Sequence, residues 1–231
     1  FIEGDAVILG TYEYQDSPDE WFSVSRACGI AKEMLDIVAS KNAHSRQTGL
    51  PLLEIGIGIC FADDKPLFLF DENHPIMISS AIGDADRMSS CSWRLRKSYD
   101  SGNFNVGVFQ LADDDRQKGE KGQELVRYNV NGIVLDDAAF EKLQKEVHFK
   151  RVKAKSGSGE EIFYIGLYPD VQGKQRDLVV RQGKVGVLKD ENVDASAETG
   201  LSYYEVLPNS KFASQIVELG KKRGNSSDPQ P

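Results

Sequence analysis

Leu52-Leu53-Glu54-Ile55-Gly56-Ile57-Gly58-Ile59-Cys60 is the stretch that decides the fold. Only Glu54 in it is charged, and a run this apolar and this short reads as a strand buried in a sheet centre. Gly56 and Gly58 fall on the same face at a period of two, so that face is bare and another element approaches it closely. Immediately upstream, Lys41 to Gly49 is polar and reads as the end of a helix. That helix begins at Ser17-Pro18-Asp19-Glu20, where Ser17 and Glu20 have capping-box spacing and Pro18 suits the first helical position. Val24, Cys28, Ala31, Leu35 and Val38 then recur at helical spacing, widened by Trp21, Ile30, Met34 and Ile37, which predicts a helix to about Ser40 packed on a sheet. Further upstream, Phe1-Ile2 and Ala6 to Leu9 flank Glu3-Gly4-Asp5 and read as strand, tight turn and strand.

Downstream, Leu67 to Phe70 is a short apolar stretch and Ile76-Met77-Ile78 a strand candidate. Gly83-Asp84 opens a second helix, with Met88, Cys91 and Leu95 along one face and Arg94, Arg96 and Lys97 at its end, where cations suit the helix dipole. Asn105 to Leu111 reads as a strand. The charged, glycine-containing run from Ala112 to Gly122 is the best domain boundary. Beyond it, Val126 to Leu135 is strand-like and Asp136 starts a short helix carrying Phe140, Leu143 and Val147. A series of short strands follows at Val147 to Val152, Ile162 to Tyr168, Leu178 to Val180, Val185 to Leu188 and Ser202 to Leu207. Ser156-Gly157-Ser158-Gly159 and Gln182-Gly183 read as hairpin turns between them. Phe212, Ile216 and Leu219 suggest a final helix, and Lys221 to Pro231 a disordered tail. The division expected is residues 1–112, residues 123–220 as a β-rich unit, and the tail 221–231.

The 231 residues suffice for one large domain or one domain and a smaller one, and 40% hydrophobic with 28% charged is ordinary globular composition. A formal net charge of −8 argues against a binder of nucleic-acid polymers, which needs a basic footprint, but not against a single nucleotide whose charge a metal ion offsets. Cys28, Cys60 and Cys91 are odd in number and widely spaced, so they form neither a disulfide framework nor a zinc motif, and a reducing, cytoplasmic location is expected. No apolar run approaches the ~20 residues of a membrane helix, and no signal peptide is present. The chain starts at Phe1 in what reads as mid-strand, which suggests a fragment or a processed chain. His44, His74 and His148 lack metal-ligand spacing. Asp63-Asp64 and Asp113-Asp114-Asp115 read as solvated acidic loops. Tyr164, Tyr168, Tyr203 and Tyr204 read as cover for the second sheet.

Three segments in order, Glu3-Gly4-Asp5-Ala6-Val7-Ile8-Leu9, Glu54-Ile55-Gly56-Ile57 and Ile82-Gly83-Asp84-Ala85, resemble the class III adenylyl/guanylyl cyclase catalytic domain. The resemblance covers roughly Phe1 to Val106, lacks the family's N-terminal part, and its first segment also looks like the hairpin of GGDEF and related palm domains. It implies an α+β fold: a ferredoxin-like palm sheet with helices on one face, here followed by the smaller β-rich unit. It further implies a nucleoside triphosphate substrate, Mg or Mn, and a homodimer.

Residue by residue, the resemblance makes Asp5 a metal ligand and places Ser80, Gly83 and Asp84 at the nucleotide. Asp5 reads otherwise as a hairpin turn residue. The family's adenine-reading lysine position is Phe1 here, and that of its partner is Ser80. The helix asparagine is Arg87, left as a candidate catalytic residue, and the arginine one turn later is Cys91, which cannot stabilise developing charge. Phe61-Ala62-Asp63-Asp64-Lys65-Pro66 stands where the family has a glycine-rich phosphate loop, and its acids repel a triphosphate unless metal-bound. Two functions follow: a cyclase-like signalling domain converting a nucleoside triphosphate to a cyclic nucleotide, or a catalytically silent palm that dimerises or senses a ligand.

Overall fold

A computed structural model describes residues 2–3, 6–10, 23–63, 65–71, 74–89, 104–110, 123–129, 131–156, 159–170, 172–189 and 192–224. The described elements are β1 (Ile2–Glu3), β2 (Ala6–Val7), α1 (Ser23–Thr48), β3 (Ile57–Ile59), β4 (Leu67–Asp71), β5 (His74–Ile78), α2 (Ser80–Ser89), β6 (Phe104–Gln110), β7 (Gln123–Asn129), β8 (Ile133–Leu135), α3 (Asp137–Glu146), β9 (Lys150–Ser156), β10 (Gly159–Pro169), β11 (Gln175–Lys189), β12 (Asn192–Val206) and α4 (Lys211–Gly224). The class is α+β. One mixed sheet runs β3-β8-β12-β11-β10-β9, with β7 on the far half of β11 and β6 on β7. β1–β2 and β4–β5 form separate antiparallel pairs. No helix among the described residues is long and apolar enough to cross a membrane.

The sheet draws strands from both sides of the 113–122 stretch, because β3 pairs parallel to β8, Ile57 with Ile133 and Ile59 with Leu135. β3 is therefore the last strand of the sheet path rather than its centre, and only Ile57–Ile59 of the apolar run is extended. The preceding residues are held by side chains instead. Leu53 exchanges both backbone bonds with the Asn42 amide (2.7 and 2.8 Å), and Ile55 N–H donates to Asn131 Oδ1 at 2.7 Å. Leu52 and Leu53 stay half exposed.

Asn42 also explains why α1 outruns its predicted end at Ser40. Asn42 and Ser45 continue the buried face through the polar stretch. Gly49 then stops the helix at φ +71°, with Leu50 N–H reaching back to Ser45 O as in a Schellman cap. The proposed start at Ser17 lies outside the described residues.

The main core joins Val24, Cys28, Ala31 and Leu35 of α1 and Phe140 and Leu143 of α3 to β8, β11 and β12, with the Phe140 and Tyr204 rings stacked 3.7 Å apart. α1 lies close on the sheet because Gly29 has no side chain; a Cβ there meets Tyr168 Cε2 at 2.8 Å. Beside it, buried Lys32 donates to Asp177 O at 2.8 Å, and burial lowers its pKa. Ala213, Ile216 and Val217 of α4 pack on Phe163, Val179 and Leu207, a second cluster on the opposite sheet face. α1 and α3 therefore share one face and α4 covers the other.

Four expectations change with the strands. The split between Leu178–Val180 and Val185–Leu188 vanishes, since both belong to β11. Gln182-Gly183 is mid-strand, and Gly183 makes room for the Tyr203 ring instead of turning the chain. Val126 to Leu135 is two strands, divided at Asn131, whose φ is +55°. α4 runs on to Gly224, four residues into the expected tail.

A carboxylate from α3 caps α1. Glu146 accepts the Val24 N–H at 3.1 Å and the Ser25 N–H at 2.7 Å, satisfying helix-end donors and facing the positive end of the helix dipole. Glu146→Ala leaves those donors short of partners and is expected to cost about 1–2 kcal/mol, read as a lower urea midpoint at unchanged slope.

Candidate functional site

Two of the motif segments meet in space. Gly58 of β3 rests on the α2 backbone at Ala85, so tightly that a Cβ on Gly58 overlaps Ala85 O and touches Met88 Cβ. The close approach expected on the bare glycine face is thus made by α2. It connects the Ile55-Gly56-Ile57 segment to the Ile82-Gly83-Asp84-Ala85 segment 25 or more positions later.

α2 starts at Ser80, three residues before the expected opening at Gly83-Asp84. Ser79 supplies the reason: its Oγ accepts the Ala81 N–H at 3.3 Å and its carbonyl accepts the Ile82 N–H at 3.2 Å, so the helix nucleates on Ser79. Gly83 and Asp84 therefore lie in the first turns of a regular helix rather than in a strand-to-helix turn. Ser80, Gly83, Asp84 and Arg87 stand at i, i+3, i+4 and i+7 and so share one helical face. Gly83 has open space where a side chain would be, Ser80 is exposed and Asp84 half-buried. The side chain of Arg87 falls outside the described set. So do Gly4 and Asp5, between the paired strands β1 and β2, and Phe1 and Cys91.

The C-terminal ends of the parallel strands β3 and β8 form a second convergence, which sequence reasoning did not assemble. Parallel-strand ends followed by a helix are where α/β folds place ligands. Here Cys60 follows β3 and its side chain hydrogen-bonds Asp136, which follows β8. Asp136 caps α3, accepting the Ala139 N–H at 2.7 Å. Lys142 Nζ stands 5.4 Å from the Phe61 ring centroid. Burial raises the Asp136 pKa against the lowering pull of the Ala139 N–H, and burial plus the Glu141 charge raise that of Asp137. Adjacent acids at a helix start make this end a poor seat for a bare triphosphate. The available signal was Asp136 as a helix start; nothing in the spacing linked it to Cys60. Among the described residues no group of three or more His, Cys, Asp or Glu side chains is placed to hold a metal ion.

No family model, curated protein or solved structure matches the chain.

Two outcomes test this geometry. Gly58→Val drives a side chain into the α2 backbone and is expected to destabilise by about 3 kcal/mol, read from chemical unfolding. Asp136 supplies the pH test. Its folded pKa stands above the ordinary 3.8, so the folded state binds the extra proton, and its stabilising contribution is lost as pH rises from 3.8 through the raised value. Asp136→Asn keeps the cap and removes the buried charge. Its unfolding midpoint is expected to lack that acid-side gain and to equal or exceed the parent's at pH 7.

Proposed function

We propose that the chain is a nucleotide-cyclase-like signalling domain that takes a nucleoside triphosphate with Mg or Mn and acts as a homodimer. The observation that carries the proposal is the Gly58–Ala85 contact, which packs the strand motif directly against the helix bearing Ser80, Gly83, Asp84 and Arg87. On that helix face the Ser80 hydroxyl and Asp84 carboxylate offer polar contacts, and the bare backbone at Gly83 lets a planar group lie close. Arg87, one turn on, has the charge to meet a phosphate. A divalent cation enters through Asp5 alone, outside the described residues. The described residues do not assemble a metal site.

A catalytically silent palm that dimerises or senses a ligand is the second reading. It is favoured by the uptake of Gly83 and Asp84 into a regular helix, and by Cys91 at the position where the family's arginine steadies charge.

Turnover separates them. With ATP, GTP, CTP and UTP offered with Mn²⁺ and products separated by chromatography, the proposal expects one cyclic product that disappears in Asp5→Ala. A folded dimer that binds a fluorescent nucleotide analogue, loses it on Asp84→Ala and forms no product supports the silent reading. A chain that binds no nucleotide refutes both nucleotide readings.

A further inference from the structure

β9 reads Lys150-Arg151-Val152-Lys153-Ala154-Lys155-Ser156 and ends the path of the main sheet among the described residues. Its two faces differ. Val152 is buried and Ala154 packs with the α4 cluster, whereas Arg151, Lys153 and Lys155 alternate on the other face and all three are exposed. One flank of β9 pairs with β10, and no strand among the described residues pairs with the other, where alternate backbone N–H and C=O groups face outward as at a sheet edge. Lys153 pairs with Glu160 at 3.2 Å, while Arg151 and Lys155 form no ion pair among the described residues. A concentrated cationic stripe on a chain of net charge −8 is a local feature, not an overall excess of base.

We propose that the free edge of β9 is a docking site for an extended acidic segment of a partner protein, added as a further antiparallel strand. Three observations favour this occupant. First, the fold already holds one such neighbour: β10 sets Glu160 opposite Lys155 and within an ion pair of Lys153. Second, a second copy of β9 is refused. Antiparallel pairing centred on Lys153 sets lysine against lysine and Arg151 against Lys155, and like charges directly opposite are destabilising. Third, the net negative charge repels a nucleic-acid polymer at long range, whereas a short peptide gains backbone hydrogen bonds that a nucleic acid does not offer. The edge is thus closed to its own kind and open to alternating acidic residues. This inference is independent of the nucleotide proposal.

The test is fluorescence anisotropy with a labelled eight-residue peptide of alternating Glu and Val. The comparison probes are the same peptide with alternate backbone nitrogens methylated, a Lys-Val counterpart and oligothymidylate. Saturable binding of the Glu-Val peptide is expected, weakened about tenfold or more by backbone methylation and by the double charge reversal Arg151→Glu with Lys155→Glu. The milder pair Arg151→Gln with Lys155→Gln, checked for folding by circular dichroism, is expected to give a partial loss and serves if the reversal does not fold. Absence of saturable binding, equal binding of the methylated peptide or of oligothymidylate, or binding unchanged in the folded charge variants would overturn the proposal.

Discussion

The parallel pairing of Ile57–Ile59 with Ile133–Leu135 is the constraint on which the rest of the structure depends. β8 is completely buried, so its ladder must be satisfied on both sides, by β12 on one and β3 on the other. Parallel neighbours cannot be joined by a tight turn. The chain therefore leaves β3, forms β4, β5, α2, β6 and β7, and only then returns as β8. α2 is fixed within that excursion because Gly58 lets its backbone settle on β3. The Asn131 side chain, from the turn just before β8, bonds Ile55 and sets the register from the other side.

Much of this was legible where local rules decide. The α3 start at Asp136, the hairpin flanked by Ser156 and Gly159, the α4 stripe of Ile216 and its neighbours, and the closeness demanded by Gly58 all follow from caps, turns and periodicity. What stayed hidden depends on partners distant in sequence. Nothing near Asn42 tells that its amide will bind Leu53 and let α1 run on through polar residues. Nothing near Gly183 tells that Tyr203 needs its space. An apolar strand reads as central, yet β3 ends the sheet path, because three residues and two asparagine side chains do the work of a longer ladder. At the candidate site Ser80, Gly83, Asp84 and Arg87 came from the resemblance, residue by residue. That they share one helical face was not legible, because the helix start at Ser80 rests on the hydroxyl of Ser79.

The scaffold and the site obey different economies. Glycines at 29, 58 and 183 are required by packing, and any side chain there meets another element. Charge is spent sparingly in the core: Glu205 is fully buried against Arg181, which also reaches Glu161, and Lys32 is held by a carbonyl and the Tyr168 ring. By contrast, Gly83 on α2 has open space where a side chain would be. The adjacent acids Asp136 and Asp137 after β8 disfavour a bare polyanion at that strand end. On the proposed function, substrate charge has to be met from Arg87 and a cation rather than from a phosphate loop.

Native-state hydrogen exchange at Ile55 and Ile57 tests the central claim most directly. Their N–H groups donate to Asn131 Oδ1 at 2.7 Å and to Gly132 O at 3.0 Å. If β3 is built into the sheet beside β8, both amides exchange as slowly as those of Val134 and Val206, and Asn131→Ala releases Ile55 first. Exchange of Ile55 and Ile57 at rates typical of open loops, with β8 still protected, would contradict the account, since β3 would then not be held beside β8 and would give α2 no fixed seat.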